Sequence, residues 1–240
     1  MKKYLLFLCA MWMVLGSAAL VSADSLTSAI ANPSFENPIL PDQSLSFIDN
    51  FIPGWGIWAP TDPATGNPLG SAGVWNPHPS EAYSGNAPDG QNVMYTNGGP
   101  NITVGQWLNS NPSNTVTINP GSIYTLSVDV GGRGPFWPSE ALWWQMNLVA
   151  QKSDGSWDVI AYINGQPEVD KFNTVSLVYE AIDPLLYNCL LGIQLVGTGT
   201  QINFDNVQLD VSAVPEPATM FLLGSGLIGI GVFVRRKFKR

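Results

Sequence analysis

Tryptophan is the residue type through which this chain is best equipped to hold a ligand. Eight lie between residues 24 and 214, at Trp55, Trp58, Trp75, Trp107, Trp137, Trp143, Trp144 and Trp157. Indole faces stack on the C–H faces of sugar rings, and neighbouring Asn, Gln and Asp bind hydroxyls, so a loop-borne cluster suits a neutral glycan. Trp58, Trp75, Tyr83 and Trp137 fall in loop-like sequence and are the candidate ligand-binding residues. Tryptophan also fills cores. Strand parity puts Trp144 with an apolar set and turns Trp143 the other way, while Trp55 and Trp107 read as packing residues.

Catalytic constellations are sparse. His78 is the only histidine, so neither a Ser-His-Asp triad nor a multi-histidine metal site can be built within one chain. The stretch Gly131-Gly132-Arg133-Gly134 leads to Pro135 rather than into a helix, which excludes a phosphate loop and reads as a turn. Glycoside hydrolysis would need two loop carboxylates roughly 5–9.5 Å apart. The expectation is therefore a non-enzymatic domain with no catalytic residue.

The elements that must position these side chains are strands. Tyr124, Leu126, Val128 and Val130 alternate with polar residues, as do Leu142, Trp144, Met146, Leu148 and Ala150. Val175, Leu177 and Tyr179 repeat the pattern, and so do Leu191, Ile193 and Leu195. Asp154-Gly155 and Asn164-Gly165 read as hairpin turns, and Gly197-Thr198-Gly199 as a further turn. Residues 53–90 are rich in Pro, Gly and Asn and hold few strand patterns, yet Trp55, Trp58, Trp75 and Tyr83 argue that they are ordered. The period-2 pattern, with no helical segment of 10 or more residues between residues 24 and 214, predicts an all-β domain of two antiparallel sheets, with a closed barrel as the alternative. Ile202 and Phe204 have the opposite parity from Val207 and Leu209, which requires a bulge near Asp205 if all four are buried.

Both ends of the chain read as addresses. Lys2 and Lys3 precede an apolar run from Tyr4 to Leu15, and Val21-Ser22-Ala23 fits a signal-peptidase site, so residues 1–23 form a signal peptide. At the other end, Pro215-Glu216-Pro217 precedes the uncharged stretch 218–234, long enough to span a bilayer as one transmembrane helix, and a basic end beginning Arg235-Arg236. Removing both leaves residues 24–214 with three basic residues against 17 acidic ones, a net charge of −14. Such a domain is repelled by nucleic acids and by anionic polysaccharides, and is suited to neutral ligands or cations. Cys189 is its only cysteine and reads as a buried thiol.

The Pro-Glu-Pro, the glycine-bearing apolar span and the arginine-rich end together resemble the PEP-CTERM sorting signal of bacterial surface proteins. The resemblance implies processing by an exosortase, with Pro215, Glu216, Pro217, Arg235 and Arg236 as the sorting motif. It also implies a transient inner-membrane anchor at 218–234, then release to the surface or extracellular matrix of a Gram-negative bacterium. Domain limits follow: signal peptide 1–23, β-sandwich 24–213, sorting signal 214–240.

A second resemblance covers the domain. Asn32-Pro33-Ser34-Phe35-Glu36, then Ile52-Pro53-Gly54-Trp55, Pro88-Asp89-Gly90-Gln91, Gly105-Gln106-Trp107-Leu108 and Asn203-Phe204-Asp205-Asn206-Val207, are similar in type and order to galactose-binding-like jelly rolls of carbohydrate-binding modules. In that family an acidic residue from the first and the last strand holds a structural calcium. The resemblance implies Glu36 and Asp205 as its ligands, with turn capping and amide hydrogen bonding as the alternative. The resulting expectation is an exported protein that binds or organises exopolysaccharide. A purely structural envelope or biofilm protein is the alternative, followed by a glycoside hydrolase or lyase.

Overall fold

The structure is a computed structural model that describes residues 23–41, 47–77, 87–109, 115–133 and 142–214. Asp24–Val211 forms one compact unit. Residues 1–22, where all but the last residue of the expected signal peptide falls, His78, Tyr83, Trp137, the Pro-Glu-Pro, the stretch 218–234 expected to span a membrane, and Arg235-Arg236 lie outside the described residues. Among the described residues no helix is long and apolar enough to cross a membrane.

The fold is all-β. Its strands are β1 (Asp24–Ser25), β2 (Phe47–Asp49), β3 (Gly56–Trp58), β4 (Gly70–Trp75), β5 (Val93–Trp107), β6 (Ser122–Gly132), β7 (Trp143–Gln151), β8 (Trp157–Gly165), β9 (Phe172–Glu180) and β10 (Leu190–Ala213). Hydrogen bonding runs in the order β2-β4-β5-β10-β6-β9, with β3 on β5, β1 and β7 on β10, and β8 on β7. The register is antiparallel throughout the long ladders.

Two strands serve both layers. The first part of β5 pairs with β4 and the last part with β3, while β10 changes neighbours along its own length. Both bend at matching places: Gly98 and Gly99 in β5 and Gly199 in β10 take positive φ, as do Asn101 and Gln201, and the register slips between Gly197 and Ile202. Only such conformations let a strand turn the corner of a sandwich without breaking its ladder. Gly197-Thr198-Gly199 is therefore not a turn between strands, as expected, but a corner within one. Asn164-Gly165 likewise ends β8, paired with Gln145 and Trp144, rather than turning a hairpin. Asp154-Gly155 does turn the β7–β8 hairpin, with Gly155 at φ 83°.

One core joins the layers. Tyr124, Leu126 and Val128 from β6, Met146 and Leu148 from β7, and Leu191, Ile193 and Leu195 from β10 are buried in it together. The parity conflict is resolved as required: Ile202, Phe204, Val207 and Leu209 are all buried, and Asn206 between them takes φ 51°. Phe35 packs on Trp55 at 5.4 Å between ring centroids, and Pro33 accepts a hydrogen bond from Val207 N at 2.9 Å, which ties the first motif to the last strand. Cys189 is buried.

Candidate functional site

Along β5, Met94, Thr96, Ile102 and Val104 point into the main core, while Val93 and Tyr95 lie on the opposite face in a second small buried cluster with Trp75. The outward face of its first part, with the same face of β4, floors a cavity of about 270 Å3. Tyr95 and Asn97 reach it from β5, Ser71 and Trp75 from β4, and Asp49 from the end of β2. The register explains the convergence: Asp49 pairs with Gly73, and Gly73 with Tyr95, so the three form one row across three strands. Gly73 has no side chain to fill the space between its neighbours. The Tyr95 phenol crosses it and donates to Asp49 Oδ1 at 3.0 Å.

Burial foremost, and then the charge and hydrogen bond of Asp49, hold the Tyr95 phenol well above its ordinary value, against a smaller opposing effect of Ser71. Tyr95 keeps its proton and acts as a fixed donor. It thereby orients the carboxylate.

A cation closes the other side. Arg133, the only arginine between residues 24 and 214, places Cζ 4.9 Å from the ring centroid of Trp75. Its Nη1 donates to Gln201 Oε1 at 2.9 Å, and its backbone N to Gln201 O at 3.3 Å. Gln201 is buried and held at φ 73° by the β10 corner. The cavity is thus lined by a carboxylate–phenol pair, a guanidinium that retains donor capacity, an indole and the amide of Asn97. That equipment can move a proton, polarise a carbonyl or bind an anionic substituent.

Of the expected ligand-binding residues, Trp75 lies in this cavity but is 3% exposed and stacked under Arg133. Trp58 is 54% exposed and lies on a different part of the molecule. Tyr83 and Trp137 lie outside the described residues. Asp49 and Tyr95 carry no sequence signal of their own for this cavity, whereas Arg133 stands out as the solitary arginine of an acidic domain.

Glu36 and Asp205 do come to one loop. Glu36 Oε1 accepts from Gln91 N at 2.8 Å and Asn92 N at 2.7 Å, while Asp205 accepts from Asp89 N at 2.9 Å and Asn206 N at 2.7 Å. Desolvation pushes the Asp205 carboxyl up to about 8, outweighing those two amide bonds. Asn92 Oδ1 is buried beside them with no hydrogen-bond partner among the described residues. No group of three or more His, Cys, Asp or Glu placed to hold a metal occurs among the described residues.

Comparison with known proteins gives a family model described as HpiC1 cyclase, HpiC1-like, matching residues 27–210, and a PEP-CTERM protein-sorting motif matching residues 213–237. No curated protein matches. The Stig cyclase FisC from Fischerella sp. TAU, in complex with (3Z)-3-(1-methyl-2-pyrrolidinylidene)-3H-indole, is 25% identical, with a TM-score of 0.64 over 81% of this chain and 100% of that one. An apo-form cyclase from Fischerella sp. is 23% identical, with a TM-score of 0.64 over 81% of this chain and 99% of that one. Structural neighbours also include TmCBM61 in complex with β-1,4-galactotriose, 13% identical with a TM-score of 0.42 over 75% of this chain and 96% of that one.

These findings overturn the expectation of a non-enzymatic domain, because the cyclase model spans the strand-forming region and the Stig cyclases share its fold. Triads and histidine clusters are not the only acid–base machinery, so their absence does not exclude catalysis. Residues 213–237 are a PEP-CTERM sorting motif, which marks an exported protein of the exosortase pathway. Over residues 27–210 the chain belongs to the HpiC1-like cyclase family.

Proposed function

We propose that this chain is an exported cyclase, released by an exosortase to the cell surface or extracellular matrix of a Gram-negative bacterium. In this reading it closes a ring in a small electron-rich molecule held between Asp49 and Arg133. The observation that carries the reading is the Asp49–Tyr95 pair lining one cavity together with Arg133.

Ring closure by proton shuttling balances without a co-reactant. A proton added to one π bond leaves a cationic carbon, a second π bond of the same molecule attacks it to form a C–C bond, and loss of a neighbouring proton restores unsaturation. The product is an isomer of the substrate. Asp49 acts as the acid that gives the first proton and, as the carboxylate left behind, takes the last one; Tyr95 fixes that carboxylate through its hydrogen bond, and Arg133 holds a carbonyl or anionic substituent of the same molecule. The Trp75 ring supplies an apolar side that excludes water.

The indole-derived ligand of FisC makes an indole the first probe. Saturation-transfer NMR with 4-(1H-indol-3-yl)butan-2-one, a ligand seen with a cyclase from Fischerella sp. TAU, reads binding, and chromatography of alkenyl-indole substrates reads isomer formation. Binding and turnover lost in Asp49→Asn and Arg133→Ala are expected. Turnover unchanged in both variants would sink the assignment of this cavity.

As a second part of the proposal, a structural calcium would sit at Glu36 and Asp205, which both bond the segment 89–92. Glu36, Asp205 and the orphaned Asn92 Oδ1 form an all-oxygen donor set of the kind a hard cation takes. Its contribution would be to neutralise the buried Asp205 carboxylate and lock the loop Asp89–Asn92 to both strands.

A further inference from the structure

Trp58 and Trp107 lie flat against the sheet because glycines leave them room. A Cβ built on Gly192 would lie 2.5 Å from Trp107 Cε3, and one built on Gly56 would lie 2.7 Å from Trp58 Cη2. One on Gly105 would lie 3.4 Å from Trp58 Cζ3. These glycines are neighbours in register, Gly56 opposite Gly105 and Gly192 opposite Trp107, so they pave one continuous floor on the outward face of β3, β5 and β10. Glycine inside a strand weakens it and marks a place where something approaches the backbone closely. Here the indoles do so, each keeping its other side toward solvent or the groove.

The groove above this floor has a volume of about 390 Å3, within the roughly 300–1,000 Å3 of small-ligand sites. Trp157, 52% exposed at the start of β8, closes its far side opposite Trp58. Val149 is its aliphatic patch, and its polar lining is made of Thr103 and glutamines. Gln106 is engaged at both ends of its amide by Ala31 N and O, at 2.9 and 3.2 Å. Gln194 Oε1 accepts from Asn147 at 3.3 Å, while the Gln151 amide has no partner among the described residues. Among the described residues, no charged side chain lines the groove.

We propose that this groove is a neutral-glycan site, separate from the Asp49–Tyr95 cavity. The occupant is argued from chemistry. Flat indoles offer CH–π surface to pyranose faces, and amides and a hydroxyl at their rim offer neutral donors and acceptors to sugar hydroxyls. An anionic polymer would meet a domain of net charge −14 with no compensating cation in the groove. A wholly apolar ligand would leave the amides unused. On the surface placement proposed above, the site attaches the enzyme to extracellular polysaccharide; the binding itself does not depend on that placement.

The test is affinity electrophoresis of the full chain in mild detergent, in gels cast with hydroxyethylcellulose, galactomannan or alginate. Retardation by at least one neutral polymer is expected, weakened tenfold or more in Trp58→Ala and Trp157→Ala. It should be unchanged in Tyr162→Ala, an exposed aromatic outside the groove, and in Asp49→Asn. Circular dichroism melts of each variant separate lost binding from lost folding. Absence of retardation by both neutral polymers, retardation by alginate alone, or equal retardation of the groove variants would overturn the proposal. So would a concentration-dependent dimer in sedimentation that Trp58→Ala abolishes, since the groove would then be an interface between copies.

Discussion

Tyr95 reaches Asp49 by passing over Gly73, which lies between them in the cross-strand register of β2, β4 and β5. A Cβ on Gly73 would lie 2.9 Å from the Tyr95 hydroxyl and collide with the Ile48 carbonyl. The pair therefore depends on a residue that contributes no functional group.

Gly73→Ala should separate the pair while leaving the fold recognisable. The added methyl is expected to cost about 1–3 kcal/mol as overpacking and to lower cyclase turnover more than tenfold. Tyr95→Phe should cost only about 1 kcal/mol while lowering turnover in the same direction. Thermal melts alongside isomer formation check both; full turnover in Gly73→Ala would detach the pair from the chemistry.

Arg133 combines charge, a fork of donors and a stacked plane. Arg133→Lys keeps only the charge, so it should raise KM for a carbonyl-bearing or anionic substrate several-fold and leave kcat closer to wild type. Steady-state kinetics on Arg133→Lys and Arg133→Ala give the split. Equal KM in both variants and wild type would remove Arg133 from substrate binding.

Asp205 makes stability fall with rising pH when cations are chelated. Its folded-state value of about 8 lies above the ordinary 3.8, so the native chain holds a proton that the unfolded chain releases across that window. The stabilisation is complete below about pH 4 and lost as pH rises to about 8. Melts in EDTA from pH 4 to 9 should show a declining midpoint in wild type and a flatter one in Asp205→Asn.

Calcium should reverse that slope, since it requires the ionised carboxylate. At pH 8, millimolar calcium is expected to raise the midpoint of the wild-type chain and to leave Asp205→Asn and Glu36→Gln nearly unmoved. An equal midpoint with calcium and with chelator would rule out the structural ion.

Phe35 is fully buried against Trp55. Phe35→Ala should cost about 3–5 kcal/mol, a fall in midpoint of roughly 6–20 °C for a domain of this size. A smaller loss would mean that the Phe35–Trp55 contact is not part of the cooperative core.

The layers of the fold were legible because alternation in β6, β7 and β9 reports burial locally. The break at Asn206 could be placed from parity alone, since burying Phe204 and Val207 together allows no regular strand. The motifs at Phe35, Trp55 and Asp205 also announced their junction. Less could be read where meaning depends on register. β4 was hidden in a Gly- and Pro-rich stretch because Gly70 and Gly73 mark cross-strand crowding rather than turns. Asp49 and Tyr95 lie 46 residues apart and meet only through the strand between them. Trp107 read as packing and does pack, but on a glycine that leaves its ring at a groove.

The shared strands have a consequence for how damage would spread. Because β5 and β10 belong to both layers, neither layer can open without pulling on the other, and the domain should exchange its amide hydrogens as one cooperative unit. The same β5 carries Tyr95 near one end and Trp107 at the other. A lesion in either strand should thus silence both surfaces at once, whereas one on β8 should reach only the nearer.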